Sequence, residues 1–315
     1  MTEVRPDRGK AGLTLILNGG WTAEAAVSRA TGKTCLDAAR EAGWQAEMIE
    51  CSRRIITDLA NRRPVRVFNA LHGQFGEDGT IQGILNGLQI PYTHSGLLAS
   101  AIAMDKPMAK KLLGSQGITC PQDLMLHHDP DTDSLIVEYD DTVCIKPCND
   151  GSSIGVRIIS KRDADGRLVL PPLSAWPANT QLMAEPFIAG RELTVTVLDG
   201  TPLTVTEIIP PENGFYDYQA KYSEGGSRHM IPANLPPAIF RQCLEVAAQA
   251  HAVLGCRGVS RSDFRWDETS GILYLLEINT QPGMTATSLV PEQAAFCGIS
   301  LPMLVSRLLE TAQCD

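Results

Sequence analysis

The distribution of apolar positions divides the chain into alternating strand-like and helix-like stretches. Residues 12–20 (GLTLILNGG) form an apolar run ending in glycines, and a helical pattern follows from about Glu24 to Ala42, the strand–turn–helix order of an open α/β domain. A second unit begins with a strand-like stretch, Val65 to Leu71, and runs into His72-Gly-Gln-Phe-Gly-Glu-Asp-Gly79. Both glycine loops fall at strand ends, where ligands bind in such sheets, and neither carries the dinucleotide fingerprint G-x-G-x-x-G. From Leu97 to about Gln116 the pattern is helical, and from Thr142 to Thr206 it is rich in strands. Residues 210–232, with Gly214, Gly225 and Gly226 among prolines, read as a mobile loop. Helices are expected from about Pro236 to Leu254 and from about Leu301 to Thr311. Between them the stretches 259–266 and 273–279 flank the turn signal Asp267-Glu-Thr-Ser-Gly271, which predicts a β-hairpin. There is no internal repeat and no low-complexity segment.

Composition narrows the classes. At 315 residues and 43% hydrophobic, the chain can bury a large core distributed over two or three domains. A net charge of −9 disfavours nucleic acid, whose phosphates call for a basic stripe; a polyphosphate would have to be held through metal ions and a few placed lysines. No window approaches the roughly eighteen apolar residues of a membrane span. The first residues, MTEVRPDRGKAG, lack the apolar run of a signal peptide, so a cytoplasmic location without a membrane partner is expected. Nine cysteines, an odd number without a C-x-x-C pair, point to reduced thiols rather than a disulfide framework or a zinc site.

The chemistry concentrates in three places. In the expected hairpin, Asp263 and Glu277 could lie side by side, and Glu277 and Asn279, two apart on a strand, must share a face. Oxygen donors without His or Cys suit a hard ion such as Mg²⁺ that bridges substrate phosphates. Leu275, Leu276 and Ile278 argue for burial of that strand, where a carboxylate needs a cation or donors. A second signal is Cys144-Ile-Lys146-Pro-Cys-Asn-Asp-Gly151-Ser152-Ser153-Ile-Gly155, a strand entering a glycine–serine loop. Its small residues would let backbone N–H groups approach an anion, and Lys146 would add a point charge. The third is Glu185-Pro-Phe187-Ile188-Ala-Gly-Arg-Glu192, where an apolar pair between carboxylates could hold an aromatic base, with Glu192 accepting from ribose hydroxyls. A plain turn and an exposed strand end explain the second and third segments equally well when each is taken alone.

Taken in order, the motifs change that balance. Asn18-Gly-Gly-Trp-Thr-Ala-Glu24, His72-Gly with Gly76-Glu-Asp-Gly79, Met104-Asp-Lys106, Lys146-Pro with Gly151-Ser-Ser153, Gly190-Arg-Glu192, Tyr216-Asp-Tyr-Gln-Ala-Lys221-Tyr222, Arg261-Ser-Asp263, Glu277-Ile-Asn279-Thr-Gln-Pro-Gly283-Met-Thr285 and Ser288-Leu289 follow one another from about residue 12 to 311. In this the chain resembles the D-alanine–D-alanine ligases of the ATP-grasp superfamily. The resemblance implies an α/β (α+β) fold of three domains, with an N-terminal open parallel sheet over 1–96, a central subdomain with a glycine–serine lid loop over 97–187, and a C-terminal subdomain with metal and substrate residues over 188–315. ATP would bind between the last two.

Such ligases pass a phosphate from ATP to the carboxylate of one D-alanine, and the amine of a second then attacks the acyl phosphate. By resemblance, Lys106, Lys146 and Ser153 serve the ATP phosphates, Glu185, Phe187 and Ile188 the adenine, and Glu192 the ribose, while Lys221 reaches the transferred phosphate. Asp263, Glu277 and Asn279 would hold two Mg²⁺ ions, for which Mn²⁺ could stand in. Glu24 would anchor the first D-alanine's ammonium, Ser288 and the Leu289 amide the second's carboxylate, and Arg261 with the Gly283 backbone the tetrahedral oxyanion. Ser152 and Tyr222 would close the site over Glu24, excluding water. The role of His72 stays open. Relatives also imply a homodimer. Three positions depart from the family pattern. Ala25-Ala26 stand where Arg-Glu is usual, and His94 in Pro91-Tyr-Thr-His-Ser95 stands where glycine is common. A related carboxylate–amine ligase using D-serine, D-lactate or another D-amino acid as acceptor is the alternative; a binding protein without turnover, or a kinase, would have little use for Arg261 and Ser288.

Overall fold

The computed structural model of the chain describes residues 10–151, 154–210 and 228–315. Its first layer is a parallel sheet in the order β2–β1–β3, formed by β1 (Thr14–Gly19), β2 (Ala46–Cys51) and β3 (Arg66–Asn69). Helices α1 (Ala25–Glu41), α2 (Ile55–Arg62) and α3 (Thr80–Gly87) connect and flank these strands. All six residues of the central strand β1 are buried, which is why it reads as a continuous apolar run. Strand β2 lies at the edge and buries only Ala46, Ile49 and Cys51, so its apolar signal is weak and the pattern had not disclosed it.

The helix expected from Leu97 to Gln116 is two helices, α4 (Leu97–Met104) and α5 (Lys106–Ser115). Asp105 between them is extended, at φ −86° and ψ 91°, and its carboxylate accepts the Met108 N–H at 3.0 Å. Pro107 in the first turn of α5 has no N–H to continue a ladder from α4, so the chain caps and restarts.

Two antiparallel sheets follow a short hairpin of β4 (Leu126–Asp129) and β5 (Ser134–Val137). The smaller sheet runs β7–β6–β8, from β6 (Val143–Pro147), β7 (Arg157–Ile159) and β8 (Leu182–Pro186). The larger runs β11–β10–β9–β12–β13, from β9 (Arg191–Leu198), β10 (Thr201–Ile209), β11 (Arg228–Met230), β12 (Val259–Asp267) and β13 (Ile272–Asn279). Of the loop expected over 210–232, residues 211–227 lie outside the described residues, and 228–230 form β11. Helix α6 (Pro237–Val253) covers one face of the larger sheet, where Leu193, Val195, Phe264 and Leu275 pack with Leu113 of α5 and Ala247 and Ala250 of α6.

The last helices, α7 (Leu289–Phe296) and α8 (Leu301–Glu310), return the chain to its beginning. Leu304, Val305 and Leu308 of α8 share a core with Ile16, Ala39 and Phe68 of the parallel sheet layer. This seam sets the carboxyl ends of β1 and β3 against the loop that leaves β13. No single described helix is long and apolar enough to cross a membrane; α7 and α8 meet that test only as a pair broken by a 104° bend. All nine cysteines are free thiols.

Candidate active site

The hairpin of β12 and β13 pairs Asp263 with Glu277 and Arg261 with Asn279, so the oxygen donors converge as their spacing predicts. Along β12 exposure alternates, with Arg261, Asp263 and Arg265 partly exposed and Ser262, Phe264 and Trp266 buried. After the Asp263–Glu277 pair the register shifts, since Phe264 faces Leu275. The bulge leaves Leu276 unpaired and turns it towards the neighbouring cavity, as bulges beside functional sites do. Arg261 donates to Asp263 through Nε at 2.8 Å and Nη2 at 2.7 Å, and Thr194 Oγ1 donates to Asp263 Oδ1 at 2.7 Å. Lys106 Nζ lies 3.6 Å from Glu277 Oε2 and donates to the Asp150 carbonyl at 2.5 Å. Asn279 Oδ1 accepts the Gln281 N–H at 2.9 Å. The Glu277 side chain is 31% exposed and stands in the cavity wall rather than in the core. An all-oxygen set of two carboxylates and one amide on adjacent strand positions fits a hard divalent cation, with cavity space left for its waters.

On one side of this pair opens a slot of about 720 Å³ between the two antiparallel sheets, lined by Cys144, Lys146, Glu185, Phe187, Ile188, Glu192 and Leu276 together with Asp263 and Glu277. Glu185 is buried between two lysines: Lys146 Nζ meets Oε2 at 2.6 Å, and Lys110 Nζ meets Oε1. Burial is the largest single influence on Lys146 and works to lower its pKa, but the charge and hydrogen bond of Glu185 together with the electrostatic influence of Cys144 and Glu277 outweigh it and hold the ammonium above its ordinary value. Burial pushes the Cys144 thiol up to about 11, so it serves as neutral wall. Glu192 accepts from Arg265 Nη2 at 2.9 Å across β9 and β12. Gly190 makes this approach feasible. At φ +108°, a Cβ there would stand 2.1 Å from the Trp266 carbonyl oxygen.

On the other side lies a cleft of about 1010 Å³ lined by Glu24, His72, Lys106, Arg261, Asn279, Gly283 and Ser288, among others, and again by Asp263 and Glu277. Glu24 is buried at the head of α1, with its carboxylate lying over Gly73. His72 is fixed by Thr31 Oγ1 at 2.9 Å on one ring nitrogen and Glu77 Oε1 at 3.1 Å on the other. Ser288 is the N-cap of α7, where unpaired N–H groups and the helix dipole favour a carboxylate. Its hydroxyl accepts the Thr285 N–H at 3.0 Å, and a Cβ on Gly283 would stand 2.9 Å from it. The sequence-predicted residues therefore gather around two adjoining cavities, apart from Ser152, Ser153, Lys221 and Tyr222, which lie outside the described residues.

The departures from the family pattern fall beside the cleft. Ala25 and Ala26 open α1 and line neither cavity. His94 is fully enclosed at φ +71°, edge-on to Phe68 with centroids 5.2 Å apart, and burial pushes its pKa down to about 3. Beside it, Gln281 accepts from Asn69 Nδ2 at 3.2 Å and donates to the Asn69 carbonyl, joining the parallel sheet to the loop after β13. Sequence reasoning missed Gln281, Thr194, Lys110 and Arg265. Thr194 and Arg265 were accessible in principle, because each lies two residues from an expected ligand on a strand and so shares its face. Lys110, one turn after Lys106 on the expected helix, shares that residue's face in the same way, whereas Gln281 carried no such signal.

A parallel sheet layer followed by two antiparallel sheets closing on a slot with lysines and oxygen donors defines the ATP-grasp architecture. Comparison with known proteins narrows the class. The family models described as D-ala D-ala ligase C-terminus and D-ala D-ala ligase N-terminus match residues 126–310 and 50–95. A D-alanine–D-alanine ligase of Cereibacter sphaeroides is 47% identical over 98% of this chain and 99% of its own, and one of Rhodospirillum rubrum is 49% identical over 95% and 98%. The crystal structure of D-alanine–D-alanine ligase from Bacillus anthracis superposes with a TM-score of 0.79 at 29% identity, covering 96% of this chain and 97% of that one. The same enzyme solved with ATP gives 0.77 at 26%, with the same coverage. The chain belongs to the D-alanine–D-alanine ligase family.

Proposed function

We propose that the chain joins two D-alanine molecules into D-alanyl-D-alanine with ATP, through an acyl phosphate, supplying a peptidoglycan precursor. The single observation that carries this reading is that Asp263 and Glu277 form a common wall of both cavities. A nucleotide in the slot would bring its terminal phosphate to the cleft at that wall. Lys146 and Lys106 would neutralise phosphate charge along that route, and Ser153 and Lys221 are assigned the same task. Glu185, Phe187 and Ile188 would take the base and Glu192 the ribose. Asp263, Glu277 and Asn279 would hold Mg²⁺, which when bound neutralises phosphate charge and orients the transfer.

The γ-phosphoryl passes to a carboxylate oxygen of the first D-alanine and ADP leaves. Glu24 holds that substrate's ammonium. The amine of the second D-alanine, having released a proton to solvent, attacks the acyl carbon; the C–O bond breaks, and phosphate leaves with its electron pair and the amine's second proton. Ser288 and the α7 N-terminus orient this acceptor by its carboxylate. Arg261 and the Gly283 N–H would donate to the oxygen that becomes negative, the preorganised kind of stabilisation that is worth about 2.7–4 kcal/mol per donor. Ser152 and Tyr222 would complete closure over Glu24. We further propose the three-part division at residues 96 and 187, a homodimer, and a cytoplasmic location.

Incubation with ATP, Mg²⁺ and D-alanine tests the reading: one dipeptide per ADP is expected. Phosphate released without dipeptide, and recovery of coupling with D-serine or D-lactate, would transfer the assignment to another acceptor. No turnover with any D-amino acid would end it.

A further inference from the structure

Glu185 closes the inner end of the nucleotide slot with only 3% of its side chain exposed, and each of its oxygens meets a different lysine. Lys146, on Oε2, lines the slot beside it. Lys110, on Oε1, does not. It rises from α5 on the far side of the carboxylate, is 7% exposed, and is tethered at its outer end by Asp123, whose own side chain is 46% exposed. Among the described residues this is a buried cation that contacts a slot residue without itself lining the slot, so whatever it contributes to nucleotide binding passes through Glu185. Lys146 cannot duplicate the effect, because it approaches the other oxygen from the slot side.

A carboxylate has about four lone-pair positions, so two lysines leave room for a base edge. Adenine offers an amino donor at its six-position, where guanine offers the O6 acceptor. An aimed carboxylate accepts from the first and repels the second. Freed of one tether, Glu185 would rotate towards its remaining partner, Lys146, and both the base contact and the lysine meant for phosphate would be displaced. We propose that Lys110 is a positioning residue that sets the choice of base, by holding Glu185 from behind the slot so that ATP is preferred over GTP. This deepens the functional reading and rests on it, since it takes the slot as the base site.

Lys110→Met, assayed with ATP and GTP and by calorimetric nucleotide binding, is expected to raise KM for ATP about tenfold, equivalent to about 1.4 kcal/mol. The preference for ATP over GTP should fall by a similar factor, with the KM for D-alanine within about twofold of wild type. Lys110→Arg should recover most of the preference. Asp123→Asn, at an exposed position that folding tolerates, should shift KM for ATP in the same direction by about threefold. A Lys110→Met protein that melts lower yet keeps the wild-type KM and base preference overturns the proposal and leaves Lys110 a purely structural charge. If that variant does not fold, an unchanged KM for ATP and an unchanged preference in Asp123→Asn overturn it instead. A wild-type protein that forms dipeptide equally well with ATP and GTP would refute the assignment of the slot as a selective base site, and the role of Lys110 with it.

Discussion

Gly73→Ala separates the anchoring of the first substrate from the stability of the fold. Gly73 has φ +70°, and a Cβ built there lies 2.2 Å from Glu24 Oε2 and 3.3 Å from its Cδ. The nearest atom is the end of a side chain, so the conflict is relieved by moving the Glu24 carboxylate about 1 Å, out to normal van der Waals contact. Left-handed backbone costs a residue with a Cβ about 1–2 kcal/mol, which sets the expected loss of stability. A displaced Glu24 forfeits a hydrogen bond to a charged ammonium, worth about 1.5–3 kcal/mol, or roughly 10- to 100-fold in affinity. Initial rates of ADP release across D-alanine concentrations at saturating ATP, beside a thermal melt, read both effects. The KM for the first D-alanine should rise by that factor, while KM for ATP stays within about twofold. A lower melting temperature with unchanged D-alanine KM would refute Glu24 as the anchor. Equal rises in both KM values would mean a general collapse of the cleft.

Three further outcomes are expected. Glu277→Gln keeps the shape but removes the charge opposite Asp263, so turnover should fall more than about 100-fold with little change in melting temperature; equal loss of both would make the residue structural. Ser288→Ala should raise the KM for the acceptor D-alanine about tenfold, the scale of one hydrogen bond to a charged group, while positional isotope exchange in ATP, which reports acyl phosphate formation, persists. His94 should make stability fall on acidification. Its folded pKa is about 3 against 6.5 for the free group, so below about pH 6.5 only the unfolded chain takes up the proton. The slope approaches about 1.4 kcal/mol per pH unit between those values. His94→Asn, with a residue that tolerates positive φ, should flatten the melting profile from pH 7 to 5.

Much of the site was legible because its ligands lie close together along strands. Asp263, Glu277 and Asn279 could be placed on one face by period two alone, and the hairpin register bears this out. The helices with strong apolar stripes, α1, α6 and α8, fall within a residue or two of their expected bounds. Elements whose signal is weak were not legible. Edge strand β2 exposes half its residues, α3 carries two glycines, and the break between α4 and α5 turns on one cap and one proline.

Local order along the chain settled which residues could serve as ligands, since a strand's alternation and a helix's first turn are properties of a few neighbouring residues. Which of them meet was a different matter. Lys110 reaches Glu185 across 75 positions, Thr194 reaches Asp263 across 69, and Gln281 reaches Asn69 across 212. Such contacts arise only when sheets dock and α8 closes onto the parallel layer, because burial of apolar faces, not the polar groups themselves, drives that docking. The donors and acceptors were written into the sequence; their distances, and hence their chemistry, were decided by the packing of the core behind them.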